Sequence, residues 1–436
     1  MNLDRFKDYD TEVRDLVLAF ESQEEGHRFF DADQLEIIAD YYLEVYDVEG
    51  MDAAVACGEQ LFPDNSAIQL RRSHVWCLKG EYKKALNLLK RMEKNTPDDG
   101  DIYYAIANVY SATNDSRKAI DNYLHAVNNG VEPGIIYAAI GSEYLKLDAF
   151  DDAIHYFLKA DKCQSNDEQV LRGLCIAWGA LEEYDKALAF FQKLVDDEPY
   201  AQWGWYALGC IHAWMHHFDK AAECLEYAIA IDKTMLEAYL LLSPCYRHLD
   251  NTEKAVQTMR DALPYADDRA AILCVIGQIY NETGNYHAAV SYLHDSLKEN
   301  PSDGATWSAL GYSCDSMGLT QEAEGYMKRA VELDPDNDYL WLQLADFYMA
   351  HDDYRHACTI LEGNCNDAIL DFGFDVRLIN CYQHMGRYNK MMHILRSLLQ
   401  RYPTQQAEIL EYCPGLANDI DAMNLLNSNN NQSTNP

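Results

Sequence analysis

The sequence predicts an all-α chain, an α-solenoid of about eleven helix-turn-helix units with helical caps. Three observations predict it. A large apolar or aromatic residue recurs every 34 residues, at Tyr103, Tyr137, Leu171, Trp205, Tyr239, Leu273, Trp307 and Trp341. The eighth place of the 34-residue unit is small in ten of eleven copies, from Ala39 through Gly141, Gly209, Gly277 and Gly311 to Ala345; Ile379 is the exception. The twentieth place is Ala in nine copies, from Ala85 to Ala357. Small residues at two fixed places imply two helices that cross closely, where a bulky side chain would overpack.

Residues 1–31 precede the first unit, and Val13, Leu16, Val17 and Phe20 are spaced as one face of a capping helix. Units begin at 32, 66, 100, 134, 168, 202, 236, 270, 304, 338 and 372 and run to 405 without an insertion. In each, a first helix ends at the fifteenth place, usually Gly, Asn or Asp (Gly80, Asn114, Asp148, Asp250, Gly284, Gly318, Asp352, Gly386). These types tolerate the left-handed backbone that closes a helix. A second helix follows, and six units end near Pro (Pro63, Pro97, Pro199, Pro301, Pro335, Pro403), which blocks continuation. The terminal units depart from the pattern, with Met51 and Met391 in the alanine column, as expected where one side meets solvent. Residues 406–426 read as a cap or degenerate unit carrying Ile409, Leu410, Cys413, Leu416, Ile420 and Met423. The polar tail 427–436 is expected to be disordered.

These columns resemble the tetratricopeptide repeat (TPR) family, most fully in WSALG at 307–311 and LGC at 208–210, and the resemblance covers residues 32–405. It implies antiparallel helix pairs stacked in a right-handed superhelix, with the first helices lining a concave groove. The helical period itself separates two faces of each first helix. Places 4, 7, 8 and 11 form a packing stripe, and places 2, 5, 9, 12 and 13 lie opposite.

The chain has 436 residues and a net charge of −36. That charge repels phosphate backbones and anionic lipid, so neither nucleic acid nor a membrane is an expected partner. An RNA-reading helical repeat, the architectural alternative, would be basic. No stretch reaches the roughly 20 apolar residues that span a bilayer, and MNLDRFKDYDTE lacks the apolar core of an export signal. The thirteen cysteines are scattered, with no CxxC pair, and read as reduced residues of a cytoplasmic protein.

CIHAWMHHFDK, at 210–220, is the one stretch that invites a metal reading, because His212 and His216 are four apart. The register assigns them otherwise. His212 holds the eleventh place, which is Tyr or Trp in nine of the other ten units, and is expected to pack as a ring; His216 holds the turn place. A zinc-protease helix would need Glu where Ala213 stands. Acid clusters at 98–101 and 334–338 fall between units and suit helix starts. No phosphate loop or nucleophile elbow is present, so no catalytic residue, metal or cofactor is expected, and no enzyme.

Two features exceed this background. Unit two is basic, with Arg71, Lys79, Lys83, Lys84, Lys90 and Arg91, whereas residues 32–65 hold no Lys or Arg. Arg72 occupies a packing place and is expected to pair with a carboxylate of the preceding unit or cap; a basic docking patch is the sharper alternative. The second feature is the opposite face of the middle first helices. It carries Arg172, Ile176, Trp203, Tyr206 and Trp214, then Arg247, His248, Gln278, Asn281, Tyr312 and Tyr339. Exposed aromatics there suit partner binding. The sequence therefore predicts a scaffold, adaptor or assembly factor that holds one or more proteins or peptides; the alternative is a regulator that changes pitch on binding a short signalling peptide.

Overall fold

The structure is a computed structural model; it describes residues 11–22, 29–364 and 372–430. It divides into two bodies, Met1–Asp232 and Lys233–Pro436. Among the described residues every regular element is helical.

In the first body α1 (Thr11–Glu21) precedes six helix pairs. They are α2 (Ala32–Glu44) with α3 (Val48–Leu61), α4 (Ser66–Leu78) with α5 (Tyr82–Asn95), and α6 (Gly100–Ala112) with α7 (Ser116–Asn128). Next come α8 (Pro133–Lys146) with α9 (Phe150–Cys163), α10 (Glu168–Ala180) with α11 (Tyr184–Asp197), and α12 (Gln202–Trp214) with α13 (Phe218–Ile231). The second body pairs α14 (Leu236–His248) with α15 (Thr252–Ala262), α16 (Arg269–Glu282) with α17 (Tyr286–Glu299), and α18 (Gly304–Ser316) with α19 (Thr320–Leu333). It continues with α20 (Asp338–Ala350) and α21 (Tyr354–Asn364), α22 (Phe372–His384) and α23 (Tyr388–Arg401), and closes with α24 (Gln406–Tyr412), a 3-10 turn and α25 (Ile420–Asn430).

Each sequence column has a distinct physical task. All eleven fifteenth places have positive φ, including three side chains poorly suited to it: Tyr46 at 59°, Glu182 at 55° and His216 at 58°. The next residue's N–H then reaches back to the carbonyl of the eleventh place, as His217 does to His212 at 2.8 Å and Leu319 to Cys314 at 2.9 Å. This closure satisfies carbonyls that the helix end leaves open. The nine alanines of the twentieth place are fully buried. Opposite them, a Cβ on Gly209 or Gly277 would lie 2.7 or 2.6 Å from Leu225 or Leu293. Bulk is excluded because the second helix of the pair lies directly against this place.

The proline places have a second task. Pro97, Pro199, Pro301 and Pro335 offer carbonyls to the ring six residues on: Tyr103 Oη at 3.0 Å, Trp205 Nε1 at 3.0 Å, Trp307 Nε1 at 2.9 Å and Trp341 Nε1 at 2.8 Å. The ring at the fourth place thus packs its apolar body and ties its polar tip to the end of the preceding unit.

The C-terminal end differs from expectation. α25 runs to Asn430, into the stretch expected to be disordered. Asp419 accepts the N–H groups of Asp421 and Ala422 at 3.0 Å each, and Leu426 is buried, so a capped and anchored helix propagates past its last packed residue. Residues 431–436 of that stretch lie outside the described residues.

Candidate protein-binding faces

The face predicted from places 2, 5, 9, 12 and 13 forms cavities in both bodies. In the first body, a cavity of about 480 Å³ lies along α4 and α6 and is lined by Asp40, Arg71, His74, Cys77, Tyr104 and Asn108, among others. A second, of about 390 Å³, lies along α8 and α10 and includes Ser142, Glu168, Arg172 and Ile176. In the second body a cavity of about 590 Å³ lies along α18, α20 and α22, with Tyr412 also in its lining. Tyr312, Tyr339 and Leu342 line it.

Beside the cavity along α8 and α10, Arg172 donates to Glu168 at 3.2 Å, and its guanidinium lies 5.1 Å from the Trp203 ring centroid. Trp203 meets Tyr206 edge to face at 5.6 Å. Ile176 is 53% exposed. These five residues make one amphipathic patch whose cation is held by a carboxylate and an indole face. Trp214 is only partly a surface residue. Its ring lies over Gly179, where a Cβ would fall 2.5 Å away, so the glycine makes a notch for the indole. Cys210 is buried, although the helical wheel placed it on the open face. A hydrogen bond to Cys210 and burial push the Cys175 thiol well above the usual range, which leaves it unreactive.

In the second body Arg247 forms an ion pair with Glu282. His248 is exposed, as is Gln278, whose Nε2 lies 3.6 Å from Cys274 Sγ. Asn281 is buried, against its assignment to the binding face. It donates to the Ala309 carbonyl at 3.1 Å and accepts from Ser313 Oγ at 2.7 Å, so its amide joins α16 to α18.

Three cations of the basic unit, Arg71, Arg72 and Lys79, turn toward the acidic unit before it. Arg72 is buried and donates to Glu59 at 2.7 and 2.9 Å and to Asp52, which also takes Lys79. Arg71 meets Asp40 through two donors at 2.7 and 3.0 Å and lies 3.4 Å from Glu36. Lys84 pairs with Glu81 at 2.7 Å. Lys83, Lys90 and Arg91 are exposed along α5. The six candidate residues therefore do not share one surface.

Sequence reasoning missed the pairing of Arg377 with Asp346, two donors at 2.7 Å each, in the wall of the largest of these three cavities. It repeats the Arg71–Asp40 geometry, and both pairs are 31 residues apart. A scan for opposite charges at one repeat length less three residues would have found both. His74 was missed too; burial holds its pKa below the usual histidine value.

His212 takes the ring place of its helix, 6.0 Å from His217. Among the described residues, no three His, Cys, Asp or Glu side chains gather as metal ligands. No helix there is long and apolar enough to cross a membrane.

Helix pairs at a 34-residue register, with a lined first-helix face, define a helical-repeat protein of the α-solenoid class. Residues 100–128, 135–167, 274–338 and 376–404 match the tetratricopeptide repeat family, so these segments are tetratricopeptide repeats. No curated protein matches the sequence. Among solved structures, the crystal structure of the APC/C hetero-tetramer Cut9-Hcn1 is similar at 15% identity and a TM-score of 0.39, over 92% of this chain and 90% of that one.

Proposed function

We propose that this chain is a non-enzymatic cytoplasmic scaffold or adaptor that holds segments of partner proteins on the first-helix faces of its eleven units, 32–405. The observation that carries this reading is the coincidence of cavities with that face. Cavities of about 480, 390 and 590 Å³ open along first helices, and large apolar or aromatic side chains stand exposed beside them: Ile176, Tyr312 and Tyr339. Such side chains offer wide contact area with few rotors to freeze. Several separate cavities favour a scaffold with multiple modest sites over a regulator with one tight peptide site.

The test is capture of partners from native lysate with the full chain and with Ile176→Ala combined with Trp203→Ala. Neither residue lies on the packing stripe, so the melting temperature should be nearly unchanged. At least one captured partner should lose about 2 kcal/mol of binding or more, the scale of an interface hot spot. Retention of every partner at wild-type level would remove this face from the proposal.

A further inference from the structure

We propose that the 590 Å³ cavity of the second body receives a lysine or arginine side chain from a basic segment of a partner protein. The proposal rests on the scaffold reading and narrows its partner. Three features of the cavity match a long cationic side chain. Its apolar surface comes from Met327, Leu342 and Phe347, suited to the methylene stem. Tyr312 and Tyr339 line the same space and are 51% and 65% exposed, so their ring faces are open to a cation. Asp315 supplies a carboxylate, and Asp346 a second that is shared with Arg377.

The charge balance decides against an anion. Among the described residues Arg377 is the one lysine or arginine lining the cavity, and both oxygens of Asp346 hold it at 2.7 Å. Asp315 lies 2.7 Å from His351 Nε2 through one oxygen. A carboxylate entering the cavity would compete with Asp346 for its cation and meet Asp315 besides. The surrounding field has the same sign, because residues 233–436 hold 28 Asp and Glu against 14 Lys and Arg. Such a field speeds the approach of a basic segment and repels an acidic one, including a second copy of this chain at −36.

The experiment uses the full chain and three labelled peptides of about 12 residues, repeats of Leu-Ser-X-Ala with X as Lys, Glu or Gln, read by fluorescence anisotropy at about 0.05 M salt. The lysine peptide should bind about tenfold or more tighter than the glutamate peptide. Tyr312→Ala with Tyr339→Ala should weaken it about tenfold, and Asp315→Asn severalfold. Glu299→Gln removes the same charge from α17, outside the cavity, and should leave binding unchanged. Equal losses from Asp315→Asn and Glu299→Gln would reduce the effect to general attraction by an acidic chain and overturn the site. Equal affinity for the three peptides would overturn the charge preference. Absence of binding by all three would overturn the inference, while the scaffold reading would still stand or fall on the Ile176 and Trp203 capture. If the double tyrosine variant melts early, Tyr339→Ala alone carries the same comparison.

Discussion

Lys118, Lys254 and Lys390 hold their ammonium groups 5.2, 4.7 and 5.2 Å from the ring centroids of Tyr110, Tyr246 and Tyr382, all at the eleventh place of their units. In unit six the corresponding lysine, Lys220, faces His212 instead. There burial first, then Lys220 and His217, lower the histidine's pKa, and among the described residues its buried Nδ1 has no hydrogen-bond partner. A folded state that prefers neutral His212 is stabilised above the unfolded pKa. That stability is lost as pH falls from about 6.5 through the lower folded value, because the unfolded chain then binds the extra proton. His212→Tyr should restore the lysine-over-ring contact and gain about 1 kcal/mol at neutral pH. The gain should be larger at pH about 5.5 than at about 7.5; other groups such as His74 titrate in both proteins and cancel. Denaturant melts at both pH values check this, and an equal gain at the two would remove His212 as an acid-sensitive residue. Tyr46 offers a second test. It is 91% exposed at φ 59°, so Tyr46→Gly should relieve left-handed strain and raise stability by about 0.5 to 1 kcal/mol.

The junctions between units show what the sequence could and could not reveal. Turn, alanine and proline columns were legible because the same local contact recurs in every copy, so identity alone marks it. The edges of the open face were not, because a helical wheel contains no neighbour: Asn281 is covered by α18, Cys210 meets Cys175 of the preceding first helix, and Trp214 is received by Gly179 of α10. Arg72 was legible as a paired charge, since an isolated buried guanidinium is too costly to persist. Glu59 and Asp52 on α3 receive it, and its guanidinium also lies 5.9 Å from the Trp76 ring. Arg72→Leu should cost about 2 kcal/mol; the two acids are partly exposed and can rehydrate, which keeps the loss below that of a fully buried pair. Equilibrium unfolding measures it. A neutral effect on stability with loss of a captured partner would instead establish unit two as a docking patch. Arg71–Asp40 and Arg377–Asp346 join the first and last neighbouring units, and no other junction carries an arginine and an aspartate at those places. These bidentate pairs tie on the two units that have another repeat on one side and only a cap on the other.

Across the chain, the substantial helix contacts among the described residues run only between a helix and its next or next-but-one neighbour. Stability is then close to a sum of unit terms and nearest-neighbour terms. Ala187 tests this. It is fully buried on α11, at the place where the two helices of unit five cross. Ala187→Glu adds bulk and an unpaired charge there and should destabilise its unit by several kcal/mol. In a compact domain with one core, that loss would lower protection everywhere. Here amide exchange should accelerate in α10 and α11 and fade through the adjoining pairs. α18 through α23 should keep wild-type protection, and the thermal transition should broaden or split. Circular dichroism should lose helix content in proportion to the units opened, without gaining strand. Uniform acceleration from α2 to α23 would contradict nearest-neighbour stability and require a cooperative link that the helix contacts do not supply.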